Sequence, residues 1–424
     1  MTEPGADGRR VTTRGGSLWH DPSFLLYWLA ATVSAAGSSI TLVVAPILIF
    51  QMTGSAPLTG ALAATEALPY LIFGLFAGAA ADRVNRPRLM TATSFLQGVV
   101  LATIPIAASQ GQLQPLHIIG AGLVSSSLYV WFDAANFGAL PTLVGRQRLT
   151  SATAILLSST TLLSVLGPAM AGVLAVAIGP ANAIGVDALT FMAAGIMIAL
   201  VRWPPSRLPA NAEQVGFTAS IKVGLRYVWR QPTIRALTLL GIGNSLTSGL
   251  VIGMAVVYAT GALGLGRADA RIGLLFTAIA LGALAASAVL PWLTRRMDPR
   301  RISVIGLIGA FACVVAVGLA PELASAVGAL FLWSLCQMGV AVNGVVVRQR
   351  LTPSELQGRV NIVARMIAFG GYPVGAVIGG LLAVSLPIRA VYLIGALAVG
   401  TSALLAARSP LWHPNDPFTE AVDD

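Results

Sequence analysis

The sequence predicts an all-α membrane protein of twelve transmembrane helices arranged as two six-helix, pseudo-symmetric bundles. Three observations carry this. The 424 residues are 56% hydrophobic and only 10% charged, with a mean hydropathy of +0.81, whereas soluble domains carry roughly 25% charged residues. Apolar stretches of about 20 residues, enough to cross a bilayer, recur from residue 24 to residue 407. A five-residue word, Arg146-Gln-Arg-Leu-Thr150, returns as Arg348-Gln-Arg-Leu-Thr352.

Residues 1–23 read as a polar tail with Arg9, Arg10 and Arg14. The tail lacks the apolar core and small-residue cleavage site of a secretory signal, so the first span is expected to be retained. Spans are expected at 24–50, 57–80, 89–108, 115–140, 150–178 and 182–201, forming an N-terminal bundle over 24–201. After a linker at 202–233 they resume at 234–260, 271–293, 302–320, 323–347, 361–385 and 389–407, forming a C-terminal bundle over 234–407. Residues 408–424 are a second tail. Gly, Ala and Leu run on without the alternation of a barrel strand, which leaves helices as the spanning structure. In the linker, Ile221, Leu225, Val228 and Trp229 recur at helical spacing among Lys222, Arg226 and Arg230. That pattern fits an amphipathic helix on the membrane surface or a partly helical solvated linker.

Charge sets the orientation. Of the 26 Lys and Arg residues, all but Arg267, Arg271 and Arg389 fall in segments on the side of the N-terminus. Cytoplasmic loops retain Lys and Arg, so both termini are expected in the cytoplasm. The net charge of +10 is therefore topological. A nucleic-acid patch would cluster on one soluble domain, and this sequence has none.

The repeat extends beyond the pentapeptide, each copy of which lies between the fourth and fifth spans of its half. The fifth spans share a small-residue spacing, Gly167, Ala171 and Ala175 in one and Gly371, Gly375 and Gly379 in the other. The loop after the second span, Gly78-x-x-x-Asp82-Arg83-x-x-Arg86-x-Arg88, has a degenerate echo in Arg295-Arg296-Met-Asp298-Pro-Arg300-Arg301. Two repeated six-span halves are a transporter architecture with the site at their interface.

The first loop reads as a gate. Gly78 permits close helix approach, and Asp82 can meet a helix N-terminus or an arginine. Arg83, Arg86 and Arg88 add cationic partners. The word resembles the loop signature of the major facilitator superfamily, with Pro87 at a position usually basic. The resemblance implies the major facilitator fold and a cytoplasmic latch around Asp82. Gly167-Pro168-Ala-Met-Ala171-Gly172 resembles the antiporter motif of its drug-exporting branches. There the proline frees a carbonyl, and the small ridge is expected to pack against the other half. Three further words, Phe132-Asp133-Ala-Ala135, Val186-Asp187-Ala-Leu-x-Phe191 and Gln349-Arg-Leu-x-Pro353-x-Glu355-Leu-x-Gly358-Arg359-Val360, are similar to macrolide-efflux and enterobactin-exporter proteins. The resemblance covers about residues 18–407. It implies a drug:proton antiporter in a bacterial cell membrane, functional as a monomer, with small-molecule substrates, protons and lipid as partners.

Three carboxyl groups fall inside spans: Glu66, Asp133 and Asp187. A lone carboxylate in hydrocarbon is costly, so each is expected to face a cavity or a partner. Glu66 is the first choice for proton coupling or substrate contact. Asp133 is expected to pair with an arginine on the inner side and Asp187 with a helix terminus, both mainly structural. Arg365, a turn into the eleventh span, is the expected partner of Asp82 or Asp133. Asn244, Gln337 and Asn343 either read substrate or hydrogen-bond between helices. Tyr129, Trp131, Phe73 and Phe76 either line an apolar pocket or pack and face lipid. His20, His117 and His413 read as interfacial.

Other classes lack their residues. Lys222, the only lysine, does not follow the glycines of a phosphate loop, so ATP hydrolysis by that route is excluded. No Gly-x-Ser-x-Gly or His-Glu-x-x-His word occurs, and no enzyme is expected. Cys313 and Cys336 both sit in spans, against a disulfide framework or metal site. No cofactor is expected beyond a proton gradient as energy source. The expected activity is proton-coupled export of small hydrophobic organic compounds by alternating access. An importer of a metabolite shares the fold but is disfavoured by the Gly167-Pro168 word. A non-transporting receptor or scaffold is expected to carry a soluble domain, which the short tails do not supply. The arginine bias points to a GC-rich bacterial genome.

Overall fold

Proline and short polar caps punctuate the apolar runs, and these mark where the helices begin. In the computed structural model, which describes residues 18–81, 84–145, 147–204, 217–267, 269–353 and 356–408, the chain opens with a single 3-10 turn at Leu18–His20. Helix α1 (Pro22–Thr53) then starts under Asp21, whose carboxylate accepts from the Ser23 and Phe24 amides at 3.1 and 3.4 Å. Pro22 at its first turn loses nothing by lacking an N–H. The helix ends at Gly54, in the left-handed region at φ 60°, where a side chain would be strained.

The N-terminal half continues with α2 (Ala56–Ala81), α3 (Arg86–Ser109), α4 (Pro115–Val144), α5 (Leu149–Ile178) and α6 (Pro180–Leu200). The linker contributes α7 (Phe217–Arg230). The C-terminal half holds α8 (Pro232–Gly253), α9 (Ala255–Gly261), α10 (Ile272–Leu293), α11 (Pro299–Leu319), α12 (Leu323–Leu351), α13 (Gln357–Phe369), α14 (Gly371–Ser385) and α15 (Ile388–Ala407). Twelve helical segments among the described residues are long and apolar enough to span a membrane. The seventh span breaks at Met254 into α8 and α9, and the eleventh at Gly370 into α13 and α14.

Within the first half α6 packs on α1 and α3, α4 on α2 and α3, and α5 on α1. Within the second, α12 packs on α10 and α11, α14 and α15 on α8, and α15 on α11. The halves meet mainly along α2–α14 and α5–α10. In lipid there is little hydrophobic drive between helices, so close backbone approach through small residues supplies the cohesion. A Cβ on Gly375 would lie 1.9 Å from the Leu246 carbonyl oxygen, and one on Gly249 equally close to that of Tyr372.

Those distances correct one expectation. The Gly371, Gly375 and Gly379 ridge faces α8 of its own half, and Gly167 faces Ser39 of α1. The contacts between halves come from neighbouring positions: Gly172 against Ala270, and Ala376 and Gly380 against Gly60 and Ala56. Successive helical residues are rotated by about 100°, so one helix shows its ridge to its own bundle and the next position to the other.

Helix α7 exists, but it docks on protein as well as facing outward. Val228 is buried against Ile234, Val360, Val363 and Ala364, and the Tyr227 hydroxyl donates to the Leu351 carbonyl at 2.7 Å. Leu225 and Trp229 remain exposed. At the end of the bundle away from the linker, the three isolated arginines all have partners. Arg271 pairs with Asp269 at 2.7 Å and by that hydrogen bond holds its carboxyl below the usual carboxylate range. Arg389 donates to the Ala320 and Ala262 carbonyls at 2.6 and 3.1 Å. Arg267 lies over the Phe50 ring at 5.3 Å, and its carbonyl accepts from Gln51 Nε2 at 2.8 Å, joining the halves.

Candidate functional site

At the end away from the linker the halves touch, and from mid-bundle toward the linker end they part. The cavity between them holds about 1260 Å³. Its wall is largely apolar and is supplied mostly by the C-terminal half, through Asn244 of α8, Trp333 and Gln337 of α12, and Phe369 of α13. The N-terminal half contributes Ser39 of α1, Glu66 of α2 and the stretch of α5 that ends at Pro168.

Glu66 is the only carboxyl among the described residues of this wall. It is accessible through the cavity while lying deep in the protein. The Tyr372 hydroxyl of α14 hydrogen-bonds to it, so a titratable group of one half is tied to a hydroxyl of the other. Nothing in the sequence reading pointed to Tyr372. Its one signal is a bulky polar side chain set inside the Gly371-to-Gly379 ridge.

The other two carboxyls lie off the wall, and their partners differ from expectation. Asp133 accepts from the Tyr70 hydroxyl rather than from an arginine. Arg365 sits over the rings of Tyr70 and Phe369 at 5.4 and 5.5 Å and makes no ion pair with Asp133. Tyr70 thus stands between them, its hydroxyl on the acid and its ring face on the guanidinium. Asp187 is 1% exposed and bonds the hydroxyls of Thr41 and Thr190, not a helix terminus. Its carboxylate lies mid-span between α6 and α1, and Gly37 leaves the room: a Cβ there would fall 2.2 Å from Asp187 Oδ1. We expect Asp187→Asn to preserve transport, because the Asn carbonyl still accepts. Asp187→Leu leaves Thr190 bonded to the residue-187 carbonyl but strands the Thr41 hydroxyl at about 1–3 kcal/mol, which thermal unfolding in detergent will show as a lowered midpoint.

Of the gate loop, Asp82 and Arg83 lie outside the described residues, as do Arg146, Glu355 and His413, and the surroundings of Gly78 are likewise not described. Arg86 Nη1 reaches the Gly138 carbonyl of α4 at 3.3 Å, and the Arg88 amide donates to Asn85 Oδ1 at 3.1 Å. In the echo, Asp298 accepts from the Arg300 amide at 2.7 Å and caps α11. Arg296 stacks on Trp292 at 4.5 Å, while Arg295 and Arg301 stay exposed. Asn85 caps α3 in the same way. Asp298 is therefore the counterpart of Asn85, not of Asp82, and Arg295 falls at the position of Asp82.

Asn343 is fully buried and donates to the Pro299 carbonyl and to Ser303, bridging α12 to α11. Asn244 and Gln337 line the cavity. Phe73 and Trp131 meet at 6.5 Å, Tyr129 stacks on Phe132, and Phe76 is exposed; none of these lines the cavity. His117 bonds Thr103 at 2.8 Å near a helix start, and His20 is exposed at the end of the opening turn. Cys313 and Cys336 are free thiols on adjacent helices.

Two repeated bundles, touching at one end and parted around a central cavity at the other, define a multi-pass carrier of the major facilitator kind. The chain belongs to the transmembrane secretion effector family, which it matches over residues 18–421. It is 26% identical over 382 residues to the multidrug efflux pump Tap of Mycolicibacterium fortuitum, covering 87% of this chain and 91% of that one. It is 27% identical over 370 residues to the enterobactin exporter EntS of Salmonella typhimurium, covering 87% of each. The fold is shared with a bacterial homologue of the lysosomal transporter Spinster in an inward-facing, occupied conformation (TM-score 0.72, 14% identity, 91% and 96% covered). It is also shared with an inward-facing bacterial homologue of ferroportin (TM-score 0.70, 17% identity, 93% and 99% covered).

Proposed function

We propose that this protein exports small, largely apolar organic compounds in exchange for protons, working as a monomer by alternating access with both termini in the cytoplasm. The observation that carries the reading is Glu66, a single carboxyl on the wall of a mostly apolar cavity, bonded across the bundle interface to Tyr372. Relatives that pump drugs and a siderophore support export, and the distribution of arginine supports the orientation. The cavity then faces the cytoplasm. Cytoplasmic substrate enters; a proton arriving from outside neutralises Glu66, changes its bond to Tyr372 and so biases the two halves toward one of their arrangements. The proton gradient is the energy source, and no bound cofactor takes part.

Everted membrane vesicles test this. With an acid interior, vesicles containing the protein should accumulate the uncharged apolar dye N-phenyl-1-naphthylamine above the level of empty vesicles. Adding the dye should in turn speed collapse of the gradient. Accumulation indifferent to the gradient would remove proton coupling; uptake only into intact cells would reverse the direction.

A further inference from the structure

Burying a guanidinium is tolerated when a carboxylate or a set of carbonyls compensates it. Even Arg148 of the first half, only part-buried, pairs with Asp21 and bonds the Val144 carbonyl, both at 3.2 Å. Arg348, near the linker end of α12, does not. It is 6% exposed, its Nε has no hydrogen-bond partner, and no described residue forms an ion pair or hydrogen bond with it. It lines the cavity. Arg365, on the same wall, has the ring faces of Tyr70 and Phe369 for neighbours and makes no ion pair with a described carboxylate. Asn361, one turn before Arg365, also lines the cavity and has an unpartnered buried Oδ1. Glu66, the one acid among the described residues of the wall, belongs to α2 and is engaged by Tyr372 across the interface. Among the described residues, the C-terminal wall thus carries uncompensated positive charge beside the half-buried apolar side chains of Val345, Ala341 and Met338, on the turns of α12 that precede Arg348.

We propose that Arg348 is a substrate-binding residue and that the cavity takes amphipathic organic anions, an acidic group seated on the Arg348 guanidinium and an apolar or aromatic body on Val345 and Ala341. A planar carboxylate matches the fork of a guanidinium in two parallel hydrogen bonds. An incoming anion supplies the counter-charge that no described residue provides, and that makes the wall selective for ligands that bring one. The assignment deepens the export reading and rests on the cavity being the transport site.

The test is binding, measured without any gradient, so its outcome is independent of the pumping assay. The intact protein in phosphatidylcholine nanodiscs is dialysed to equilibrium against radiolabelled 2-naphthoate or 2-naphthamide, which match in size and differ in charge. The wild type should prefer naphthoate by about 10-fold or more, the range of one charged hydrogen-bonding contact. Arg348→Gln should collapse that preference while leaving naphthamide affinity unchanged, and Arg348→Lys should restore part of it. Equal affinity of the wild type for both probes, no binding of either, or a preference that survives in Arg348→Gln each overturns the proposal. Loss of naphthoate binding when phosphatidylglycerol is added to the nanodiscs would assign the guanidinium to a lipid headgroup and overturn it too.

Discussion

Replacing Glu66 by Gln should reduce gradient-driven export to the level of vesicles that lack the protein, while expression and substrate binding persist. The substitution keeps the shape and the capacity to accept from Tyr372 but cannot take or release a proton. Because Glu66 is the one carboxyl of the described cavity wall, no neighbour there can substitute for it. Asp133 and Asp187 are held by hydroxyls away from the wall, so Asn at either position should leave coupling in place. Tyr372→Phe should give an intermediate phenotype, with transport retained and its pH profile displaced, since the carboxyl loses its cross-bundle donor. Coupling unimpaired in Glu66→Gln would end the assignment.

The second large effect is expected at two glycines. Gly60 and Gly273 stand the same number of residues ahead of the caps Asn85 and Asp298, one in each half. A Cβ on Gly60 would fall 2.3 Å from the Ala376 carbonyl oxygen, and one on Gly273 would fall 2.4 Å from that of Pro168. Both obstacles are backbone, which cannot swing away, and both lie where the halves touch. Overpacking costs about 1–3 kcal/mol per site. The penalty applies only to the arrangement closed at that end, so the double variant Gly60→Ala, Gly273→Ala should move the equilibrium by roughly 10-fold or more toward the opposite one. A cysteine introduced by Ser245→Cys on the cavity wall, with Cys313 and Cys336 replaced by Ser, reports the shift. Impermeant maleimide should label it from the linker side in the parent and from the other side in the glycine variant, with transport lost. Unchanged labelling and transport would show that these contacts do not set the closed end.

Much of this was legible along the chain because its causes are local. Lipid demands long apolar helices, and Pro22, Asn85, Pro115, Pro180, Pro232 and Asp298 mark their starts by chemistry that acts within a turn. The break at Met254 has no local signal, since it lies in an apolar run, whereas that at Gly370 has one in Gly370-Gly371-Tyr372-Pro373, whose proline lacks an N–H for the Phe369 carbonyl. The echo of the gate loop is visible as a pattern, but its register is not: only the helix starts show that Asp298 is a cap like Asn85.

The chain alone thus establishes a twelve-span, two-half membrane protein and singles out Glu66 as the carboxyl to test. These follow from length, period and the energetic cost of charge in lipid, which a sequence states directly. The partners of the charges were decided only by tertiary packing: Tyr372 for Glu66, Tyr70 for Asp133, Thr41 and Thr190 for Asp187, and none among the described residues for Arg348. So was the direction in which each small-residue ridge faces. Rotation of about 100° per residue and the meeting of segments far apart in the chain set which side chains touch. Neither is encoded in any single stretch.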